Sequence, residues 1–358
     1  MKTLRLEKVL KSMEESKLSQ ILVTDPVSIF YLTGKWIHPG ERMLVLYINI
    51  QGNHKLFINE LFPVEEELGA EKIWFNDTDN PIDILINYLD KDHALGIDKN
   101  WPAHFLISLM DKKVIPQFIN GSFIVDDLRM MKDQEEIELM KEASRLNDEA
   151  MGKLINEISN AHSELDMIAR LDKIYKNIGA DGFSFTPIIG YGANAADPHH
   201  NSDHTKLKRG DSIVLDIGCL KNSYCSDMTR TVFYKEVSPK AKEVYQVVLE
   251  ANKRGIETVK PGAKFCDIDR ATRNYIEEAG YGKYFTHRTG HSIGIEVHDK
   301  GDVSSTNTEV LKPGMIFSIE PGIYIPGEVG VRIEDLVLVT EDGYEVLNHF
   351  NKELQVIE

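Results

Sequence analysis

The sequence predicts an α/β N-terminal domain followed by an α+β C-terminal domain. The chain has 358 residues, which is long for a single hydrophobic core. In its first part, short apolar runs alternate with helical patterns, as in an α/β layer. The rest contains helical segments separated by strand-like stretches that carry isolated acidic residues. These observations indicate two cores of different architecture.

The N-terminal domain shows no residues that suggest catalysis. Apolar residues recur at helical spacing between Leu6 and Met13. Apolar runs bounded by turn-forming residues predict strands at residues 20–23, 43–48, 56–58 and 94–97. A further helix is predicted at residues 82–89.

A domain boundary is predicted near residues 121–132. There the strand-like run at residues 123–125 gives way to the start of a helix. We therefore assign residues 1–123 to the N-terminal domain and residues 124–358 to the C-terminal domain.

Start and stop signals predict four helices in the C-terminal domain. Asp133 begins a capping-box pattern at the start of the first helix. The second helix ends at Gly179, which suits a left-handed C-terminal cap. The third begins at Ser238-Pro239, with serine as the cap and proline in the first turn. The fourth covers about residues 267–279 and stops at Gly280.

The composition makes several classes of partner unexpected. A formal net charge of −16 repels polyphosphate, so nucleic acid is not an expected partner. No stretch approaches the roughly 20 apolar residues of a membrane helix, so no membrane association is expected. The first residues lack the apolar core of a secretory signal, and three cysteines do not make a disulfide framework. The expected compartment is the cytoplasm.

Two aspartates interrupt apolar, strand-like segments. Asp216 lies within residues 212–218, and Asp227 lies within residues 224–233. If Lys221-Asn222 forms a two-residue turn, the two aspartates face each other across a hairpin, with Cβ atoms about 5 Å apart. Carboxylates this close raise each other's pKa unless a cation lies between them. Taken alone, each aspartate could equally lie at an edge or face solvent.

A second acid-bearing hairpin and a histidine complete a candidate metal site. Glu320 and Glu334 lie on the two arms of this hairpin, whose longer loop leaves the register open. His291 lies in a glycine-rich stretch before it. Imidazole mixed with carboxylates suits Mn, Zn, Co or Fe. Four carboxylates and one imidazole suffice for two ions, with carboxylates bridging them.

Taken together, these motifs resemble the pita-bread metallopeptidases: methionine aminopeptidase, aminopeptidase P, prolidase and the metal-free creatinase. The matching motifs are Asp216 with Asp227-Met228-Thr229-Arg230-Thr231, Thr289-Gly290-His291, Val297-His298-Asp299, Glu320-Pro321-Gly322 and Arg332-Ile333-Glu334-Asp335. Residues 1–123 resemble the creatinase/prolidase N-terminal domain, which methionine aminopeptidases lack. The length and residues 320–327 most resemble bacterial Xaa-Pro dipeptidases (prolidases), which act on small peptides.

The resemblance implies a hydrolase with two divalent ions per subunit, expected to be Mn, with Co and Zn as alternatives. Asp216 and Asp227 hold one ion, whereas Asp227, His291, Glu320 and Glu334 hold the other. Asp227 and Glu334 bridge the two. A hydroxide shared by the ions attacks the scissile carbonyl, and Glu320 passes a proton to the leaving nitrogen.

The resemblance also implies substrate-binding residues. His199 shapes the prolyl side of the site, although the sequence alone does not distinguish it from His200. His298 stabilises the developing oxyanion. Arg332 either pairs with a substrate carboxylate or is a buried partner of a ligand acid. The further substrate-binding candidates are Arg288 and Tyr324.

A loop in the N-terminal domain suggests a homodimer. In similar dipeptidases the loop at residues 38–42 approaches the partner's active site, so His38 and Arg42 are candidates to limit substrate length. The alternative is an ordinary solvated loop.

Four positions depart from the family pattern, and all lie outside the predicted ligands. They are Ser202, Thr205, Ser292 and Asp299. These departures bear on the shape of the proline pocket and hence on the peptide preference. Two alternative functions stay open independently of them. One is an aminopeptidase P that releases the first residue of longer Xaa-Pro peptides. The other is a non-catalytic peptide-binding protein, although such relatives typically lose ligands and this chain keeps five.

Overall fold

A computed structural model describes all of residues 1–358. The chain forms two compact units, unit 1 (Met1–Arg129) and unit 2 (Met130–Glu358). The boundary predicted after residue 123 falls inside the helix Phe123–Met130. The strand predicted at residues 123–125 is therefore wrong, because so short an apolar run has no periodicity that separates strand from helix.

Unit 1 contains one six-stranded sheet in the order β4-β3-β2-β1-β5-β6. Its strands are β1 (Gln20–Val23), β2 (Val45–Asn49), β3 (Lys55–Asn59), β4 (Glu71–Phe75), β5 (Leu95–Ile97) and β6 (Phe118–Asn120). Its helices are α1 (Thr3–Glu15), α2 (Pro26–Thr33), α3 (Pro81–Leu85), α4 (Ala103–Asp111) and α5 (Phe123–Met130). The sheet is mixed, because β1 pairs antiparallel with β2 and parallel with β5.

The sequence predictions for unit 1 are confirmed at α1 and at strands β1, β2, β3 and β5. The predicted helix at residues 82–89 is shorter, ending at Leu85. Helix α2 was not predicted, although its signals are local. The Asp25 side chain accepts a hydrogen bond from Ser28 N at 2.9 Å, Pro26 occupies the first turn, and Gly34 ends the helix with a φ of 76°.

Unit 2 contains four helices: α6 (Gln134–Asn156), α7 (Glu164–Ile178), α8 (Pro239–Glu257) and α9 (Phe265–Glu278). All four predicted start or stop signals are confirmed, including Gly280, which follows the end of α9 with a φ of 85°. Asp133 and Glu136 form a capping box, Gly179 ends α7 with a φ of 81°, and Ser238 Oγ accepts a hydrogen bond from Ala241 N at 3.1 Å. None of the helices in the chain combines the length and apolar character needed to cross a membrane.

The strands of unit 2 form several small sheets, the largest in the order β20-β12-β9-β8. The strands are β7 (Gly182–Phe183), β8 (Ile188–Tyr191), β9 (Ser212–Ile217), β10 (Cys219–Lys221), β11 (Tyr224–Cys225), β12 (Met228–Tyr234), β13 (Gly290–His291), β14 (Asp302–Val303), β15 (Ile316–Ile319), β16 (Gly322–Ile325), β17 (Val329–Arg332), β18 (Asp335–Val339), β19 (Tyr344–Val346) and β20 (Val356–Ile357).

Helices cover the sheets of unit 2 through buried aliphatic side chains. Leu146 and Leu154 of α6 and Leu171 of α7 share a core with Ile213 and Leu215 of β9. A second buried cluster joins α8 to β12, β16 and β17. The α/β unit 1 and the α+β unit 2 agree with the predicted fold class.

The cap of α8 gives a test of the fold of unit 2. Ser238→Ala removes the acceptor for Ala241 N and should lower the free energy of unfolding by about 1 kcal/mol. Urea denaturation followed by far-ultraviolet circular dichroism measures the change. The control is Ser305→Ala at an exposed position, which should stay within about 0.5 kcal/mol of the unchanged protein. Equal effects of both substitutions would contradict the capping role.

Candidate metal centre

The first acid-bearing hairpin forms, but its turn differs from the prediction. Lys221 pairs with Tyr224, so the two loop residues are Asn222 and Ser223, with φ of 50° and 71°. Positive φ at both central positions is what a tight hairpin turn requires. The prediction of a Lys221-Asn222 turn is therefore wrong by one residue.

This shift of the turn changes the partner of Asp216. In the observed register Asp216 pairs with Thr229, not with Asp227. Because strand side chains alternate with a period of two, Asp227 stays on the face of Asp216 and Thr229. The two aspartates therefore share a face, as predicted, although they do not stand directly opposite each other.

The second hairpin places its two acids at matching positions. Gly322 pairs with Arg332, and Ile319 pairs with Asp335. Both pairs belong to one continuous register, which sets Glu320 opposite Glu334 at the break between the two paired segments. The sequence predicted the hairpin and left its register open.

His291 reaches the same region from strand β13. Its main-chain N–H donates to Ser318 Oγ at 3.0 Å. The Nε2 atom lies 3.6 Å from Asp227 Oδ2 and 3.5 Å from Glu320 Oε1. The structure therefore brings His291 against acids of both hairpins.

All five predicted ligands line one cavity. Ligand atoms of Asp227, His291 and Glu334 lie within 4.8 Å of one another. Asp216 and Glu320 line the same cavity wall. The side chain of Glu320 is 16% exposed, and the other four residues are buried.

The acids of this group fit a divalent-cation site. Burial, followed by the charges of nearby acids, raises the pKa of Asp227 and of Glu334 well above the usual range of a carboxyl. Oδ1 of Asp216 and Oδ1 of Asp227 are buried without a hydrogen-bond partner. Buried carboxylates without such partners are costly unless they are protonated or bind a metal. Carboxylate oxygens with one imidazole nitrogen suit ions such as Mn²⁺, Co²⁺ or Zn²⁺.

Thr229 and Arg332 support two of the acids. Thr229 Oγ1 donates to Glu334 Oε2 at 2.7 Å, and Arg332 Nε donates to Thr229 Oγ1 at 3.1 Å. Arg332 also donates from Nη2 to Asp216 Oδ2 at 2.6 Å. These contacts match the prediction of Arg332 as a buried partner of a ligand acid. Because Arg332 lines the cavity as well, its contact with a substrate carboxylate stays a prediction.

The cavity has a volume of about 350 Å³, and the remaining predicted residues differ in their access to it. His199, His298 and Arg288 are exposed residues that line it. The ring of His298 lies 4.3 Å from that of His291, in an edge-to-face arrangement. Tyr324 is buried, and its hydroxyl accepts a hydrogen bond from Arg332 Nη1 at 2.9 Å.

The structure distinguishes His199 from His200. The His200 ring turns away from the cavity, with Nε2 at 2.7 Å from Glu164 Oε2. The buried Glu164 carboxylate also accepts from Tyr191 N and Asp203 N, each at 2.8 Å. Glu164, His200 and Asp203 are close enough to share an ion. Because both Glu164 oxygens already accept hydrogen bonds, we assign them to fixing the loop that carries His199.

His287 is a cavity-lining residue that the sequence analysis missed. Its neighbours place a proton on Nδ1, which donates to the carbonyl of Arg288 at 2.7 Å, while Nε2 accepts from the Tyr324 hydroxyl at 2.9 Å. Burial, followed by the charge of Arg332, lowers the pKa of His287 to about 4. Its position four residues before His291 in one glycine-containing stretch was the available signal.

A helix of unit 2 fixes the segment that carries His287. Arg273 of α9 donates to the carbonyl of His287 at 2.8 Å and to that of Phe285 at 3.1 Å. The carboxylate of Asp269 pairs with Arg273 and accepts from Thr289 Oγ1 at 2.7 Å. The wall beside His291 is therefore held by contacts distant from it in sequence.

His38 and Arg42 lie in unit 1. The His38 ring stacks on Trp36 at 5.7 Å, and Arg42 donates to Asp77 from Nε at 2.7 Å and from Nη2 at 2.9 Å. Arg42 also pairs with the exposed Glu41. The predicted role of this loop toward a partner subunit stays a prediction.

The raised pKa of Glu320 predicts how the metal-free protein responds to pH. Burial is the main cause that raises it to about 7 from 4.5. Between these values the unfolded chain has released the proton that the folded chain keeps, so this group lowers stability as pH rises. Glu320→Gln should therefore gain roughly 2–3 kcal/mol over the unchanged protein between about pH 5 and pH 8.

Urea denaturation in the presence of a chelator, repeated at several pH values, measures this difference. The control is Glu328→Gln, at the exposed turn of the same hairpin, which should show no growing advantage. A difference between Glu320→Gln and the unchanged protein that stays constant with pH would contradict the prediction.

Comparisons with known proteins agree with this architecture. Metallopeptidase family M24 matches residues 138–341, and the creatinase/prolidase N-terminal domain matches residues 5–131. An uncharacterized peptidase of Staphylococcus aureus (strain USA300) is 35% identical over 357 residues, which covers 97% of this chain and 99% of that protein.

Two solved structures are similar over nearly the whole chain. The Xaa-Pro dipeptidase from Bacillus anthracis is 33% identical with a TM-score of 0.90, covering 99% of each chain. The prolidase from Pyrococcus horikoshii OT3 is 32% identical with a TM-score of 0.89, covering 98% of this chain and 99% of that one. Since the family match spans more than half of the chain and includes all five predicted ligands, this protein belongs to metallopeptidase family M24.

Proposed function

We propose that this metallopeptidase hydrolyses Xaa-Pro bonds in dipeptides and uses two divalent ions, with Mn²⁺ as the expected metal. The observation that carries the proposal is the convergence of Asp216, Asp227, His291, Glu320 and Glu334 on one cavity, where two buried carboxylate oxygens lack a hydrogen-bond partner. The similarity to an Xaa-Pro dipeptidase and a prolidase supports the choice of bond.

When bound by these side chains, two divalent ions would supply a hydroxide nucleophile at neutral pH and polarise the scissile carbonyl. Glu320 would serve as the proton carrier, because its side chain lines the cavity and is 16% exposed, whereas the other four predicted ligands are buried. The amine released from an Xaa-Pro bond is a poor leaving group until its nitrogen is protonated. His298 lies beside His291 and would donate a hydrogen bond to the developing oxyanion.

The size and walls of the cavity support a small substrate. Its volume of about 350 Å³ is near the lower end for ligand sites. Phe185, Ile188 and Val297 supply apolar surface that suits a pyrrolidine ring. Arg288 and Arg332 both line the cavity, and a substrate carboxylate would pair with one of their guanidinium groups.

We also propose a cytoplasmic homodimer in which the loop at residues 38–42 limits substrate length at the partner's active site. The resemblance to dipeptidases supports the dimer. The three buried cysteines are free thiols, as is usual in a reducing compartment. The bonds from Arg42 to Asp77 give this loop a fixed attachment within unit 1.

Metal removal and a substrate panel test the proposed activity. Chelation should lower the rate on Xaa-Pro dipeptides by at least about 100-fold, because metal catalysis is worth several kcal/mol. Added Mn²⁺ should restore it better than Co²⁺ or Zn²⁺. The panel compares Xaa-Pro, Xaa-Ala and Xaa-Pro-Xaa-Xaa peptides, and kcat/KM should be highest for Xaa-Pro. Faster turnover of the longer peptides would indicate an aminopeptidase P. Absence of any metal-dependent hydrolysis would favour a peptide-binding protein.

The loop proposal has its own test. His38→Ala and Arg42→Ala should raise kcat/KM on Xaa-Pro-Xaa-Xaa relative to Xaa-Pro, because the barrier to longer substrates is weakened. The matched control is Lys55→Ala, which removes another ion pair of unit 1, that with Glu71. Steady-state kinetics on both substrates measure the ratio. If both loop variants keep the ratio of the unchanged protein, the loop has no role in substrate length.

A further inference from the structure

The main chain that carries the metal ligands has a second, buried face with polar contacts of its own. Thr229 and Glu334 point toward the metal centre, where they are hydrogen bonded to each other at 2.7 Å. Arg230 and Asp335 follow them directly in the chain. Successive side chains of an extended chain point to opposite faces. Arg230 and Asp335 accordingly meet each other behind the centre, with Nη2 donating to Oδ1 at 2.7 Å.

Arg230 is 2% exposed, and all of its N–H donors have acceptors. Besides Asp335, Nη1 donates to the main-chain oxygens of Glu334 at 2.6 Å and Thr229 at 2.9 Å. Nε and Nη2 donate to the main-chain oxygen of Phe350 at 3.2 and 2.9 Å. The guanidinium thus joins strand β12 to the main chain of one predicted ligand.

Lys352 completes this group from a segment that follows β19. Its Nζ donates to Asp335 Oδ2 at 2.6 Å and to Asn252 Oδ1 at 2.9 Å. Asn252 in turn donates to the main-chain oxygens of Ile319 at 3.0 Å and Ile333 at 3.4 Å. These two residues immediately precede the predicted ligands Glu320 and Glu334 in the chain.

Arg230, Asp335 and Lys352 form what we name the rear cluster. None of the three lines the cavity, so they do not meet a substrate there. Arg230 contacts the main chain of Glu334 directly, whereas Lys352 reaches the main chain next to two of the ligand acids through Asn252. The rear cluster therefore fixes the strands that carry these two acids.

We propose that the rear cluster is a positioning element for the metal centre, in which Lys352 joins Asp335 to Asn252. Groups that orient metal ligands from behind typically change metal affinity by about 10- to 100-fold when they are removed. The inference rests on the proposed metal-dependent function, since it concerns the same five ligands.

The test compares two lysines near the same segment. Lys352→Met keeps the aliphatic stem and removes the ammonium group. The matched control is Lys253→Met, because Lys253 forms an exposed pair with Glu353 at 3.2 Å, with side chains 41% and 62% exposed. Isothermal titration calorimetry of the chelator-treated full chain with Mn²⁺ measures the dissociation constant. The midpoint of thermal unfolding in chelator is measured in parallel.

Lys352→Met should weaken Mn²⁺ binding by about 10-fold or more, Lys352→Arg should recover part of the loss, and Lys253→Met should bind as the unchanged protein does. Should Lys352→Met not fold, Lys352→Gln, which keeps an N–H donor without the charge, carries the same expectation. An unchanged dissociation constant with a lowered unfolding midpoint would make Lys352 merely structural and overturn the inference. Failure of the unchanged protein to bind Mn²⁺ would overturn the proposed function as well.

Discussion

The repulsion between four clustered carboxylates, three of them buried, is the constraint on which the rest of unit 2 depends. Asp216, Asp227, Glu320 and Glu334 line one cavity, where burial raises the pKa of each and the charges of neighbouring acids raise it further for all but Asp216. Cations relieve this repulsion, and a hydrolytic enzyme needs those cations to activate water. The four carboxylates therefore affect both the stability of the fold and its chemistry. The contacts around them bear on both properties.

Neutral and cationic side chains stabilise these carboxylates from two faces of the strands that carry them. On the cavity side, Arg332 pairs with Asp216 and reaches Glu334 through the hydroxyl of Thr229. On the opposite side, Arg230 holds the main chain of Glu334. The alternation of side chains along two extended segments produces this double layer, because neighbouring residues of one short motif face opposite ways. Glu334-Asp335 therefore contains both a predicted ligand and a residue whose ion pair with Arg230 lies behind it.

Loops complete the cavity, and helices of the same unit hold them. The Glu164 carboxylate at the start of α7 binds the segment that carries His199, and Arg273 of α9 binds the segment that carries His287. The first contact fixes the loop of His199, and the second fixes the segment of His287. Both histidines line the cavity. The shape of the cavity therefore depends on helix contacts as well as on the strands that carry the predicted ligands.

The sequence by itself determined the two-unit α/β and α+β organisation, the capped helices and the five ligand candidates, because local periodicity and isolated acids in apolar strands are readable without contacts. It placed the hairpin turn one residue early, which paired Asp216 with Asp227 instead of Thr229. Only the tertiary structure decided that register, the separation of His199 from His200, and the part of Lys352 behind the ligands. Ring orientations and contacts across about a hundred residues of sequence arise when distant segments pack, and the choice between two neighbouring turn positions depends on how the strands on either side pair.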